Sequence, residues 1–189
     1  MNKPANPALR NSRLKLLLIM AVFAAPMIAA GILTFTGWQP SGKANGQPIA
    51  PQRNFADENL RVQLSDGQSW AWRAAEPQLT LIALAGPDCA AQCVDTLTKM
   101  AAARITLNRN APRLRLLYLG TPPVDSGQDG MKNYWQLGTD SDGKLARYRP
   151  SEPDSVAALL VESNGTALSL YAAGFDPTGL RKDLQKVIR

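Results

Sequence analysis

Residues Leu79 to Met100, LTLIALAGPDCAAQCVDTLTKM, decide the fold. The run Leu79 to Ala85 is short, apolar and ends at Gly86-Pro87-Asp88, the pattern of a strand buried on both faces and closed by a turn. Val94, Leu97, Ala101 and Ile105 then recur at helical spacing, so a helix is predicted from about Cys89 to Leu107. Cys89 and Cys93, the two cysteines of the chain, fall at that strand-to-helix corner. Asp88 is the candidate N-cap. It places Cys89 in the first turn, where free N–H groups and the helix dipole favour thiolate over thiol, while the charge of Asp88 opposes the shift. Four residues apart on one helix face, the two Cα atoms lie about one turn apart, within the roughly 4.4–6.8 Å that a disulfide tolerates. Three states stay open for the pair: a dithiol, a disulfide or a two-thiolate site for a soft metal. A structural staple is the plainer alternative, but so short a spacing closes a very small loop, and stabilisation by loop closure grows with loop length.

Composition narrows the chemistry. The chain has 189 residues and is 45% hydrophobic, enough for one ordinary domain with a core and too apolar for a disordered chain. It contains no histidine, which excludes Ser-His-Asp and Cys-His catalysis, haem attachment through C-x-x-C-H and every His-containing zinc or copper site. Two cysteines alone do not complete a structural zinc site. The formal charge of +6 belongs mostly to the first fifteen residues: of 21 basic residues four are Lys3, Arg10, Arg13 and Lys15, leaving 17 against 15 acidic ones. No aromatic-interleaved basic patch marks a nucleic-acid surface. Arg109, Arg113 and Arg115, the densest basic group, are expected to flank a strand at a solvated edge.

Upstream, Leu16 to Phe35 carries no charge and as a helix spans about 30 Å, the thickness of a bilayer's hydrocarbon core. Basic residues precede it and Trp38 follows, so residues 1–15 read as a cytoplasmic segment, 16–38 as a transmembrane anchor and the rest as exported. A cleaved signal peptide with Ala29-Ala30-Gly31 at its site is the rival reading. Pro26 is tolerable within a membrane helix. Residues 39–54, with Pro40, Gly42, Gly46, Pro48 and Pro51, read as a flexible tether, and 55–189 as the folded domain.

Within that domain Leu60, Val62 and Leu64 alternate, Asp66-Gly67 makes a turn, and Ser69 to Trp72 returns as a hairpin partner, with Trp70 and Trp72 as packing residues. After the cysteine helix, Pro112 breaks the pattern and Leu114 to Leu119 forms a second apolar strand, joined to the first by a parallel crossover. Thr121 to Pro150 is irregular, with one short helical candidate from Met131 to Leu137. Val156 to Val161, the turn Ser163-Asn164-Gly165 and Leu168 to Ala172 make a hairpin. Asp176 and Pro177 open a closing helix whose apolar stripe is Leu180, Leu184, Val187 and Ile188.

This order, strand, cysteine helix, strand, insert, hairpin and final helix, is that of a thioredoxin-like domain: an α/β fold with a central mixed sheet flanked by helices, here preceded by a single N-terminal transmembrane helix. Three residues between the cysteines, followed by Thr96-Leu97 and Met100, resemble the SCO/SenC family of copper and redox proteins used in cytochrome c oxidase assembly. Leu160-Val-Glu-Ser-Asn-Gly165, Leu168 to Tyr171 and the closing helix resemble that family's C-terminal part, and the resemblance runs from about Asp57 to Arg189. In that family the two cysteines and a distant histidine bind copper. Counting back from Gly165 puts Asp154, or its neighbour Ser155, at the histidine's position, and neither replaces imidazole for Cu(I). Ala90, Ala91 and Gln92 stand where the family often has proline, and its insert is not recognisable between Thr121 and Pro150.

The resemblance implies a membrane-anchored thiol-disulfide protein of the bacterial inner membrane, N-terminus cytoplasmic and domain periplasmic, acting in biogenesis of the oxidase's copper centre; if it is an enzyme, it is a thiol-disulfide oxidoreductase. Cys89 is then the attacking thiol and Cys93 the resolving one. The partner is an oxidase subunit or another copper-assembly protein. The alternatives are a Cu(I) carrier using Cys89 and Cys93, with Met100 or Met131 as an assisting thioether or, for either, as core packing, and an assembly factor without turnover. A general thioredoxin-type exchanger fits less well: the two-residue spacing and the aromatic residue before the first cysteine are missing, although Pro153 stands where a proline facing the cysteines is expected.

Overall fold

The computed structural model describes residues 7–36, 44–123 and 131–188. Lys3, Trp38, the tether as far as residue 43 and residues 124–130 of the irregular insert lie outside the described residues. The chain divides into two units, Met1–Lys43 and Ala44–Arg189. The first is the helix α1, Pro7–Thr36, with Pro26 inside it. Its segment Lys15–Leu33 has a mean hydropathy of 2.6 and is long and apolar enough to cross a membrane.

The second unit is built on a seven-stranded mixed sheet. In chain order its strands are β1 (Gln47–Asn54), β2 (Val62–Leu64), β3 (Leu79–Ala85), β4 (Leu114–Leu119), β5 (Gln136–Asp140), β6 (Val156–Glu162) and β7 (Thr166–Tyr171); across the sheet they run β1-β7-β6-β3-β4-β5-β2. Among the described residues its helices include α2 (Ala91–Ile105) and α3 (Pro177–Val187), with 3-10 turns at Asn108–Arg113 and Ala146–Tyr148. β3 lies parallel to β4 and antiparallel to β6, so it is hydrogen-bonded on both sides. Both its faces are covered as well. Leu81, Ala83 and Ala85 point into a core under α2 and α3, and Ile82 and Leu84 into a second core beneath Phe55, Trp70, Trp72 and Leu145. A strand with no solvent face loses the polar alternation of a half-buried one, which is why its sequence is continuously apolar.

Several expectations need correction. Gln47–Asn54 is not tether but β1, paired antiparallel with β7. It stands at the sheet edge with a register shift between Pro48 and Arg53, and an edge is where a strand tolerates proline. Ser69 to Trp72 returns only briefly beside β2, through the bridge Gln63↔Ser69 and the Trp70 N–H donated to Val62 O, and the longer ladder partner of β2 is β5. Trp70 and Trp72 are packing residues, 6% and 7% exposed. The expected Met131–Leu137 helix stops early: Tyr134 and Trp135 both donate their N–H to Met131 O, and β5 begins at Gln136. Arg115 is not at a solvated edge. It lies on interior strand β4 with its guanidinium 4.1 Å from the Trp70 ring centroid, where a delocalised, weakly hydrated cation is tolerated. Leu180 and Leu184 on α3 and the following Ile188 are buried, but Val187, the last residue of the helix, is 53% exposed.

Candidate redox site

The site forms where β3 ends. Gly86 N–H donates to Ser155 O at 2.9 Å, and Asp154 N–H donates to Asp88 O, also at 2.9 Å. The segment carrying Cys89 is thereby laced to the loop that enters β6. A Cβ on Gly86 would lie 2.3 Å from Glu152 O, so the approach requires glycine.

Asp88 is not the helix cap. The N-cap is Ala90, whose side chain caps nothing, and α2 begins one residue later. Cys89 therefore precedes the helix and Cys93 is its third residue, so the pair does not share a helical face. The two are nevertheless joined by a disulfide, with Cα atoms 5.1 Å apart. Cys93 is fully buried in the α2-side core, whereas Cys89 is only partly buried against it. A thiol reaching in from outside meets Cys89 first, and Cys93 is the sulfur placed to leave or to re-close the ring.

The cap is supplied by Asp154, 61 residues on from Cys93. One carboxylate oxygen accepts from the N–H of Ala90 at 2.8 Å and of Cys93 at 2.8 Å; the other accepts from Gln92 N–H at 3.0 Å. These are the free donors that open a helix, met by a charge of the sign the dipole attracts. The amide of Cys93, followed by those of Gln92 and Ala90, holds the Asp154 carboxyl below the usual carboxylate range. Asp154 itself has φ +53°, a conformation Asp and Asn accept more readily than other side chains. Pro153 is exposed.

The donors suit a copper centre poorly. Two sulfurs are present, and the Asp154 oxygens are hard ligands already spent on three amides, whereas Cu(I) prefers thiolate or thioether. Met100 and Met131 are buried members of the α2-side core. Among the described residues no three Cys, Asp or Glu side chains cluster as a metal site would require. Beside the pair, α2 borders an apolar groove of about 330 Å³ lined by Val94, Thr98, Ala102, Ile105 and Tyr134.

A family model described as transmembrane-like, thioredoxin-like, C-terminal domain matches residues 79–189. The chain belongs to this transmembrane-like, thioredoxin-like family. The companion model, transmembrane-like, N-terminal domain, matches residues 8–37 and so coincides with α1. No curated protein matches the sequence. Among solved structures, the bacterioferritin comigratory protein of Xanthomonas campestris is 14% identical over 77% of this chain and 97% of its own, with a TM-score of 0.52. Arabidopsis thaliana ScoI with copper bound is 19% identical over 77% of this chain and 99% of its own, TM-score 0.51. Apo Sco1 from Thermus thermophilus is 12% identical over 79% and 99%, TM-score 0.50. These likenesses establish the thioredoxin-like fold. The Cys89–Cys93 pair was legible from the corner motif. The Asp154 contact carried one sequence signal, its count back from Gly165, and the role of Gly86 carried none.

Proposed function

We propose that the protein is a membrane-tethered thiol-disulfide protein of the SCO type, acting in biogenesis of the copper centre of cytochrome c oxidase through Cys89 and Cys93. The observation that carries the reading is the asymmetric disulfide at the end of β3: Cys89 partly exposed outside the helix, Cys93 buried within it. That asymmetry suits a cycle in which the Cys89 thiolate attacks a disulfide of the client, forms a mixed disulfide and is released when Cys93 closes on it. The apolar span Lys15–Leu33 of α1, with Arg10 and Arg13 ahead of it, supports a single-pass anchor with the N-terminus cytoplasmic and the domain in the periplasm, where disulfide chemistry persists. The client class is a copper-assembly protein or oxidase subunit whose cysteines must be reduced before they take the metal.

The test is a Cys93→Ser variant in membranes, where Cys89 cannot be released. Mixed disulfides that disappear in the Cys89→Ser, Cys93→Ser double variant are expected. If exhaustive trapping finds none and the double variant still assembles active oxidase, a scaffold role remains and the exchange reading is wrong.

A further inference from the structure

We propose that Asp154 is the positioning residue that keeps the Cys89–Cys93 pair reducing, by occupying the helix end that would otherwise stabilise a thiolate. The inference rests on the thiol-disulfide reading of the site and adds the direction in which electrons flow. A cysteine at a helix N-terminus ordinarily becomes acidic because free N–H groups and the positive end of the dipole favour its thiolate. Here the N–H groups of Ala90, Gln92 and Cys93 all donate to one carboxylate. The helix end supplies roughly half a positive charge and Asp154 a full negative one, so the balance facing the sulfurs is negative.

Along the two segments that form the site, the charges do not reverse it. Residues 86–98 and 150–156 hold Asp88, Asp95, Glu152 and Asp154 and neither lysine nor arginine. Asp95 is ion-paired with Lys99 at 2.7 Å, whose charge is thereby engaged on the helix flank. Arg149 lies just outside the loop that carries Asp154. Strands β3 and β6, from which both segments depart, are uncharged at this end, from Ala83 to Ala85 and from Val156 to Ala158.

A thiolate at Cys89 is therefore left without the stabilisation the fold offers elsewhere, and the disulfide, which carries no charge, is favoured over the reduced form. Such a pair passes electrons outward. The Cys89 thiolate bonds to one sulfur of a client disulfide and expels the other as a thiolate, which takes a proton. The Cys93 thiolate then bonds to Cys89 and expels the client's first sulfur. Two electrons have reached the client, which ends as a dithiol, and the resulting Cys89–Cys93 disulfide is reset by an upstream protein dithiol.

The experiment uses the full chain in detergent micelles, reduced and then alkylated with iodoacetamide across pH, with modification of each cysteine read by mass spectrometry. In the wild type Cys89 is expected to titrate at or above the ordinary thiol value of about 8.5. Asp154→Asn keeps one acceptor oxygen for the Ala90 and Cys93 amides and tolerates φ +53°, but removes the charge and the acceptor for Gln92 N–H. It should lower the Cys89 titration by one unit or more. At a pH where only the variant is thiolate, it should also move the equilibrium with dithiothreitol about tenfold toward the protein dithiol, or roughly 30 mV. Glu152→Gln, which removes an exposed acid outside the amide contacts, should change neither. A purely structural cap would alter the melting temperature and leave both readouts in place. Wild-type Cys89 titrating below pH 7, a measurement that needs no variant, overturns the proposal, as does Asp154→Asn with unaltered titration and equilibrium. If the pair titrates as stated yet traps no client, the proposal stands and the exchange reading alone is lost.

Discussion

Replacing Gly86 with alanine probes the seam between the cysteine segment and the loop that caps its helix. The new Cβ would sit 2.3 Å from Glu152 O and 3.1 Å from Ser155 Oγ. A relaxed carbon-to-oxygen contact lies at about 3.3 Å, so one backbone must yield by about 1 Å. The φ of Gly86 is outside the left-handed region, so the substitution loads packing alone. The cheaper movement displaces the Glu152–Ser155 loop, because the other partner continues a strand paired on both sides. Displacing that loop lengthens the contacts from Asp154 to Ala90, Gln92 and Cys93. Overpacking of this kind costs about 1–3 kcal/mol. For a unit of this size the melting temperature should fall by about 3–9 °C. Circular dichroism of the full chain in detergent measures that shift. Hydrogen exchange should quicken at the Ala90, Gln92 and Cys93 amides and stay unchanged at Ile82 in the β3 ladder. A melt within a degree of wild type, with the three amides still protected, would refute the reasoning.

Three further outcomes follow from the same structure. Asp183, 5% exposed, accepts from Asn45 N–H at 2.6 Å, Asn45 Nδ2 at 3.1 Å and the Tyr171 hydroxyl at 3.2 Å. Asp183→Ala removes the acceptor shared by Asn45 N–H and the Tyr171 hydroxyl and should cost about 2–4 kcal/mol in urea denaturation, while Asp183→Asn costs less. Burial pushes the Tyr118 hydroxyl up to about 12, and burial together with the Asp183 charge raises Tyr171. Tyrosines in the unfolded chain ionise near pH 10, so above it the folded state holds more protons. That stability is complete below pH 10 and is lost as pH rises toward about 12, which ultraviolet titration alongside alkaline melting will follow. The reduced chain should fail to withdraw Cu(I) from a chelator of known affinity; stoichiometric, cysteine-dependent retention would put copper carriage ahead of exchange.

The parts of the fold that could be read early are those whose physics is local. Leu79 to Ala85 reads as a buried strand because every residue is buried. Asp176 reads as a cap because it accepts from Thr178 and Gly179, two and three residues away. The cap of α2 obeys the same chemistry through Asp154, and no window around Cys89 contains it; the adjacent Asp88 offered a local substitute that the fold does not use. β1 was hidden by its prolines, which edge position excuses, and β5, QLGTD, by carrying little apolar signal while pairing through its backbone. Arg115 misled through its charge, since the Trp70 ring that receives it is 45 residues upstream.

The central claim is that Cys89 and Cys93 work as a reversible pair and not as a staple. It is tested most directly by following their state in growing cells, with a mass-tagged maleimide, before and after a brief pulse of dithiothreitol. The account predicts that the pulse converts the disulfide to dithiol and that it re-forms within minutes of washing, at a rate that depends on client disulfides. A bond that resists the pulse throughout would contradict it.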